Sequence, residues 1–293
     1  MTNFRDQKVR FNLRQAAREY RHYALFPIHK AGFRWVKNRN VAYSLIQQQD
    51  WPGYKTSDII FLFCSGPSVN DLTREEWDII KANDSFGLNY AFLTKFPMTF
   101  YYLGYEPSSN EILYHSFSKE IREIYENTLW FVPTKVVYRL THPRTEPKFF
   151  PINPKLTLFE MPPAITFEDD RPFKSDDFQQ SLLYRGSLGV GMHLIDLLGY
   201  KKIVLLGVDL HTYKHFYDDN EVMQEERTKA YKHVNDKSSF DDLLPQKTQK
   251  KRSMEEYYYA LDELYFRPKG VQLYVGNKDN ILCPRIPVFP DFK

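Results

Sequence analysis

Residues 186–210 read GSLGVGMHLIDLLGYKKIVLLGVDL, and this stretch predicts the fold most directly. Small residues open a segment with helical spacing, and Gly199 is suited to end that helix in the left-handed conformation. The lysines at 201 and 202 suit a helix C-terminus. The next four residues, 203–206, form an apolar run that is typical of a buried parallel strand. The stretch therefore predicts a helix followed by a buried strand, the repeating unit of an α/β protein.

Residues 59–72, IIFLFCSGPSVNDL, hold a second apolar run that breaks into a tight turn. A helix is predicted over 72–83, with Asp71 or Thr73 as its N-cap. Further strands are predicted within residues 84–92, 98–106, 128–138, 155–161 and 271–275, and further helices within 110–127 and 254–266. Strands that alternate with helices predict an α/β protein with a doubly wound, mostly parallel sheet.

The N-terminal segment is predicted to be helical through residue 50 and is strongly basic. Residues 1–40 carry ten Lys or Arg against two acidic residues, in a chain of net charge +3. Such a segment is a candidate contact for an anionic membrane surface, and the alternative is a solvated helix packed on the domain. No recognised nucleic-acid motif accompanies the charge, so we expect no nucleic-acid partner. We predict an extension over 1–55 and a catalytic domain over 56–293.

The cysteine count and the hydropathy bear on the compartment. Two cysteines, Cys64 and Cys283, imply no disulfide framework and favour a reducing compartment. The N-terminus has no apolar core of a signal peptide, and no run approaches the ~20 apolar residues of a transmembrane helix. We therefore expect a cytoplasmic protein, with peripheral attachment to the inner face of the membrane left open.

In a doubly wound sheet, ligands bind beyond the carboxyl ends of the strands. The residues that follow the predicted strands are therefore the first candidates for a site. All are small or polar, and they are Ser65, Gly66, Pro67, Ser68, Asn89, Tyr105, Glu106, Asp209, Gly276 and Asn277. The segment 187–191, which includes Ser187 and Gly189, is a further place where the backbone can approach a ligand closely.

The turn after the first long apolar run can bind an anion. Gly66 lets the backbone approach a ligand, and the Ser68 hydroxyl with nearby amides can hold a phosphate. The turn is neither a Walker motif nor a dinucleotide fingerprint, because it lacks the lysine of the first and the further glycines of the second. The alternative is a tight turn that only leads into a helix, and spacing alone does not separate the two.

A polar stretch follows Asp209. Residues 210–253 have few apolar anchors, and we predict a lid with local helix there. His211, His215 and His233 lie in it and are candidate general bases. Paired aspartates such as Asp218 and Asp219 do not follow a strand in a metal-binding pattern, and the chain has no zinc-ligand spacing. The prediction is a site without a metal.

Taken together and in this order, residues 61–72, 84–92, 186–210 and 271–282 resemble the bacterial sialyltransferases that have one Rossmann-like domain, a GT-A variant, and a lid. They also resemble a related branch, the 6-hydroxymethylpterin diphosphokinase-like proteins. The resemblance covers residues 57–110 and 180–283. It implies a Rossmann-like fold with a flexible lid.

The resemblance also implies roles for individual residues. Gly66, Pro67, Ser68 and Asn89 would hold the CMP part of a CMP-sugar, and Ser65 stands where that family usually has asparagine. Ser187 would lie near the nucleotide, and Asp209 matches the acidic residue that closes a strand. Tyr217, with His215 as the rival, would contact the departing phosphate. The family's base is a histidine nearer the last helix, and His233 is the nearest one here.

The leading functional expectation is a metal-independent, inverting glycosyltransferase without a cofactor. Its donor would be CMP-linked sialic acid or a related acid sugar, and its acceptor a bacterial surface glycan of lipopolysaccharide or capsule. One alternative is a Mg²⁺- and ATP-dependent diphosphokinase-like enzyme that uses Asp209, Asp218 and Asp219. The other is a non-catalytic nucleotide-sugar-binding protein. Homo-oligomerisation stays open.

Overall fold

The computed structural model describes residues 44–103, 119–133, 155–159, 187–209, 215–218 and 254–292. The strands are β1 (Ser44–Leu45), β2 (Ile59–Phe63), β3 (Asp84–Leu88), β4 (Phe100–Tyr102), β5 (Leu129–Pro133), β6 (Lys155–Phe159), β7 (Lys202–Leu206) and β8 (Gln272–Val275). The α-helices are α1 (Arg74–Lys81), α2 (Lys119–Ile124), α3 (Ser187–Leu197) and α4 (Met254–Leu261). Single 3₁₀ turns cover Gln48–Tyr54, Pro67–Asp71, Ala91–Thr94 and Arg267–Lys269, and Asp262–Phe266 forms a π-helical turn.

The eight described strands form one sheet in the order β1-β6-β5-β4-β3-β2-β7-β8. Each neighbouring pair of these strands is parallel. The predicted α/β class with a mostly parallel sheet is therefore confirmed. From β2 the chain adds β3 to β6 on one side, and β7 and β8 lie on the other side. The strand order thus reverses direction between β2 and β7, and such a position opens a crevice at the carboxyl ends of the strands.

The sheet is buried on both faces, which explains the continuous apolar runs in the sequence. Ile60 and Leu62 point to one face, where residues of α3 and α4 cover them. Phe61 and Phe63 point to the other face, which packs against α1 and against Phe289 and Phe292 near the C-terminus. Because successive side chains of a strand alternate between faces, a strand covered on both sides buries the side chains of both sets, as β2 and β7 do beyond their first residues.

The N-terminal prediction is wrong where the structure describes it. The sequence predicts a helix over residues 44–50, but Ser44–Leu45 pair with β6 and a 3₁₀ turn follows. Pro52 lies inside that turn and cannot donate to a continuing helix. Trp51 is buried and donates from Nε1 to Thr157 Oγ1 at 3.0 Å, which ties the turn to β6. Residues 1–43, with the basic cluster, lie outside the described residues.

Thr73 caps α1, which decides between the two predicted caps. Its hydroxyl accepts from the Glu76 amide at 3.2 Å, and the Glu76 carboxylate accepts from the Thr73 amide at 2.8 Å. This reciprocal pair satisfies two amides at the start of the helix. The chain thus begins α1 immediately after the turn that follows β2.

Substituting Thr73 by alanine is expected to lower the free energy of unfolding by about 1 kcal/mol, because it leaves the amide of Glu76 without its acceptor. Urea unfolding followed by circular dichroism measures this change. Asp71→Ala is the matched control, since Asp71 is exposed and does not cap the helix. Equal losses in the two variants would contradict the assignment of the cap.

The predicted lid falls mainly on residues that the structure does not describe. Of its residues, 210–253, the structure describes 215–218 alone. In the described part of the chain, no helix combines the length and the apolar character needed to span a bilayer.

Candidate functional site

The exits of β2 and β7, which are the residues 64–68 and 207–209 that follow these strands, lie side by side at the carboxyl edge of the sheet. The Cys64 amide donates to the Leu206 carbonyl at 2.8 Å, and the Gly66 amide donates to the Gly207 carbonyl at 2.8 Å. The pairing therefore continues beyond the last residues of both strands. It brings the turn at 65–68 next to Asp209, at the position where the strand order reverses.

Ser68 and Asp209 are joined by two hydrogen bonds. The Ser68 amide donates to Asp209 Oδ2 at 2.8 Å, and the Ser68 hydroxyl donates to Asp209 Oδ1 at 2.8 Å. These are the donors that the sequence suggested for a phosphate, and in the structure they hold a carboxylate of the same chain. Each carboxylate oxygen keeps a further lone pair, so Asp209 can still accept hydrogen bonds from a ligand.

Gly66 is required by the chain itself. A Cβ at this position would lie 2.3 Å from Asp209 Oδ2 and 2.6 Å from the Gly207 carbonyl oxygen. The φ angle of Gly66 is −68°, which any residue adopts, so the requirement is one of space and not of conformation. The close approach predicted at this glycine is thus an approach to the β7 exit, and its contact with a nucleotide stays a prediction.

A short segment of the predicted lid, residues 215–218, is fixed to the same turn. The Phe216 amide donates to the Ser65 carbonyl at 2.9 Å, and Asn70 Nδ2 donates to the Phe216 carbonyl at 3.0 Å. The His215 amide donates to Asp218 Oδ2 at 2.8 Å, which closes a local turn. His215 and Tyr217 are therefore brought to the edge of the sheet that carries Ser65 and Ser68.

Tyr217 is 6% exposed, and its ring packs against those of Tyr90, His215 and Phe216. Its centroid lies 5.1 Å from that of Tyr90 and 5.0 Å from that of His215. Tyr90 directly follows Asn89, so the contact joins the β3 exit to the segment 215–218. Sequence reasoning did not single out Tyr90, Asn70 or Phe216, because their roles depend on neighbours that are distant in the chain.

Asn89 directly follows β3, and Ser187 belongs to α3, the helix that packs on the end of β3. Asn89 has a φ of 51°, and its carbonyl accepts from the Tyr101 hydroxyl at 2.6 Å. Ser187 is the first residue of α3, and Gly189 is buried in the first turn. A Cβ at Gly191 would lie 3.0 Å from the Leu88 side chain, so the start of α3 lies close to the end of β3.

Asn277 follows β8 and lines a cavity of about 130 Å³ together with Ser68, Thr73 and Asn280. Asn280 is committed to the fold, since its Nδ2 donates to the Val208 carbonyl at 3.1 Å. The Oδ1 atom of Asn277 is shielded from solvent and has no hydrogen-bond partner within the described ranges. Asn277 therefore has an acceptor that the described residues do not satisfy.

A larger pocket, of about 350 Å³, lies on the other side of the 67–71 turn. Its lining residues are Val69, Asn70, Trp77, Leu93, Thr94, Phe216 and Tyr217. Tyr217 belongs both to this pocket and to the group of rings at the β3 exit. The pocket thus opens directly beside the residue that the sequence suggested for contact with a leaving phosphate.

Other candidates take no part in the described arrangement. His211, His233, Tyr105, Glu106 and Asp219 lie outside the described residues. Within the described ranges, no group of three or more His, Cys, Asp or Glu is placed to hold a metal ion. Cys64 is buried, and this burial, with a smaller effect of the Asp209 charge, raises the pKa of the thiol far above its usual value. A thiolate nucleophile at Cys64 is therefore disfavoured.

No protein-family model, curated protein or solved structure matches this chain. What the site does must therefore be inferred from its own residues. They supply a carboxylate with free lone pairs, a fixed tyrosine and a histidine beside it, all at the carboxyl edge of a parallel sheet. Such a set can bind hydroxyl groups and can donate hydrogen bonds to a group that gains negative charge.

Proposed function

We propose that this protein is a metal-independent glycosyltransferase, similar to the bacterial sialyltransferases, with a Rossmann-like domain and a lid over 210–253. It would transfer an acid sugar from a CMP-linked donor to a surface glycan. One observation carries the proposal. Ser68 and Tyr217, which the resemblance assigns to the nucleotide and the leaving group, lie with Ser65 and Asp209 at the edge where the strand order reverses. Ligands of open α/β sheets bind at that position.

The Ser68–Asp209 pair supports a more specific role for the turn than phosphate binding. A phosphate placed on the Ser68 amide would meet the Asp209 carboxylate, and two anions repel each other. A ribose, in contrast, offers hydroxyl groups that can donate to the free lone pairs of Asp209. We therefore assign Asp209 to the ribose, with Ser68 holding the carboxylate in place.

The phosphate of the donor is assigned to the start of α3. The helix runs for eleven residues from Ser187, and Gly191, its fifth residue, packs against the Leu88 side chain at the end of β3. Backbone N–H groups at a helix N-terminus attract anions through the helix dipole. Ser187 and Asn89 would then contact the nucleotide from one side, and Tyr217 would contact the phosphate from the other.

The proposed reaction is a single displacement. The acceptor hydroxyl oxygen forms a bond to the anomeric carbon of the donor, and the bond from that carbon to the phosphate oxygen breaks. The electron pair of the broken bond goes to the CMP phosphate, which Tyr217 stabilises with a hydrogen bond, with His215 as the alternative donor. The proton of the acceptor hydroxyl goes to a base, assigned to His233. Attack opposite the leaving group inverts the anomeric centre.

Nucleotide titration tests the donor assignment. CMP and CDP are expected to bind in the presence of EDTA and to raise the melting temperature, and UDP and ADP are expected to bind more weakly. Isothermal calorimetry and thermal shift assays measure both effects. If UDP or ADP stabilises the protein and CMP and CDP do not, the donor assignment is wrong. Binding of ATP that requires Mg²⁺ would instead favour the diphosphokinase-like alternative.

The substitution Asn89→Gly tests whether this binding uses the predicted site. Glycine adopts the φ of 51° without strain, so the variant loses the side chain and keeps the turn. We expect the affinity for CMP to fall by at least about tenfold, the effect of losing one well-placed hydrogen bond. Lys95→Gly is the matched control, because Lys95 is exposed and has a φ of 56°. Equal CMP affinity in both variants would remove Asn89 from the site.

A further inference from the structure

The 350 Å³ pocket beside Tyr217 differs in character from the nucleotide site. None of the seven described residues that line it carries a charge, and three of them, Trp77, Phe216 and Tyr217, are aromatic. A phosphate or carboxylate in this pocket would lose water without gaining an opposite charge from these seven side chains, which is costly. The lining therefore favours a neutral ligand.

The aromatic walls of the pocket are held in place from behind. The Trp77 ring packs against Phe96 and Phe63, with centroid separations of 5.2 and 5.7 Å. Phe216 is held through its backbone by Ser65 on one side and Asn70 on the other. Rings that are already fixed lose little conformational freedom when a ligand packs against them, so they are suited to binding.

Asn70 supplies a polar group to the lining of the pocket. Its Nδ2 donates to the Phe216 carbonyl at 3.0 Å, which directs the amide nitrogen toward the protein. The carbonyl oxygen of the same side chain can accept two hydrogen bonds. Fixed aromatic faces beside an amide acceptor suit a sugar ring, whose C–H groups form apolar faces and whose hydroxyl groups project from the edge. The volume of the pocket is within the range of small-molecule sites.

We propose that this pocket binds a neutral sugar ring of the glycan acceptor. That this sugar belongs to the acceptor rests on the proposed transferase function, because Tyr217 both lines the pocket and is assigned to the leaving phosphate. A sugar ring in the pocket would lie next to the bond that breaks. The two substrates then bind at different places. The phosphate and the ribose of the donor bind at α3 and Asp209, and the neutral acceptor binds in the uncharged pocket between Trp77 and Phe216.

The test uses neutral disaccharides, namely lactose, maltose and sucrose, with the full-length protein. At least one is expected to change the tryptophan fluorescence, because Trp77 lines the pocket. Trp77→Phe should abolish the change, whereas Trp51→Phe should keep it, since Trp51 is buried beside Thr157. Phe216→Ala should weaken disaccharide binding measured by calorimetry at least about tenfold. Tyr259→Ala, which removes another half-buried ring, should leave binding unchanged.

The outcomes separate this proposal from the proposed function. If none of the three disaccharides binds, or if Phe216→Ala binds them as the unchanged protein does, the pocket assignment is wrong. If glucuronic acid displaces the bound disaccharide at lower concentration than glucose does, the assignment to a neutral ligand is wrong. If a disaccharide binds through Trp77 and Phe216 while CMP and CDP do not bind, the sugar pocket stands and the CMP-donor assignment fails. Thermal unfolding of each variant confirms that it is folded.

Discussion

Replacing Asp84 by alanine is expected to lower the free energy of unfolding by about 4 kcal/mol. Asp84 is 1% exposed and lies at the amino-terminal edge of the sheet, away from the candidate site. Its Oδ2 accepts from the amides of Thr56 and Ser57 at 2.8 and 3.0 Å and from the Tyr200 hydroxyl at 2.6 Å. Its Oδ1 accepts from the Thr56 hydroxyl at 2.7 Å. Alanine removes the acceptor of all four donors.

Asparagine at the same position should cost much less, about 1–2 kcal/mol. Its carbonyl oxygen can replace Oδ2 and accept the same three donors, and its NH₂ group can replace Oδ1. The Thr56 hydroxyl can then accept instead of donating, because a hydroxyl does both. The two variants thus separate the need for an acceptor from the need for a charge.

Urea unfolding followed by circular dichroism measures these changes. Asp58→Ala is the matched control at the same edge, because the Asp58 side chain is 74% exposed and forms an ion pair with Lys55 on the surface. It should leave the unfolding midpoint nearly unchanged, since exposed ion pairs contribute little. If Asp84→Ala unfolds at the midpoint of the control, the four hydrogen bonds do not stabilise the fold as argued.

Gly66→Ala is expected to lower the free energy of unfolding by about 3 kcal/mol, the effect of forcing a methyl group into filled space. The Asp209 carboxylate can rotate away from the new Cβ, but it then loses both hydrogen bonds to Ser68. The Gly207 carbonyl cannot rotate away without disturbing its bond to the Gly66 amide. The substitution should therefore also remove the stabilisation by CMP, because it displaces Asp209.

Gly53→Ala is the control for this substitution. A Cβ at Gly53 would have nothing within 4 Å, so the change should be neutral. Urea unfolding gives the stability of both variants, and a thermal shift assay with CMP gives the effect on binding. A Gly66→Ala protein with unchanged stability would show that the β2 and β7 exits are not packed as described.

The strands were predictable because each apolar run is covered on both faces. Ile60 and Phe61 point in opposite directions and are both fully buried, so no polar position interrupts the apolar run of β2. The end of α3 was predictable for a local reason, since Gly199 has the expected positive φ, 74°. The candidate site was predictable to the level of the sheet edge, because ligands of parallel sheets bind at the carboxyl ends.

Strand β1 and the start of α1 show where local patterns fail. Ser44–Leu45 form a strand only because they pair with β6, about 110 residues away in the chain. The sequence around it is equally compatible with a helix. The choice of Thr73 over Asp71 as the cap depends on the residue at which the chain leaves the 3₁₀ turn, and composition does not specify that residue.

The sequence by itself determined the order of strands and helices from β2 onward and the set of small and polar residues that follow the strands, since both follow from local periodicity and turn chemistry. Only the tertiary structure decided what those residues contact. Ser68 holds Asp209 across 141 positions, and Asn70 holds Phe216 across 146. Gly66 is a glycine because Asp209 and Gly207 fill the space beside it. Contacts between residues so far apart leave no local pattern, because they form only when the segments that follow β2 and β7 are brought together in the folded chain.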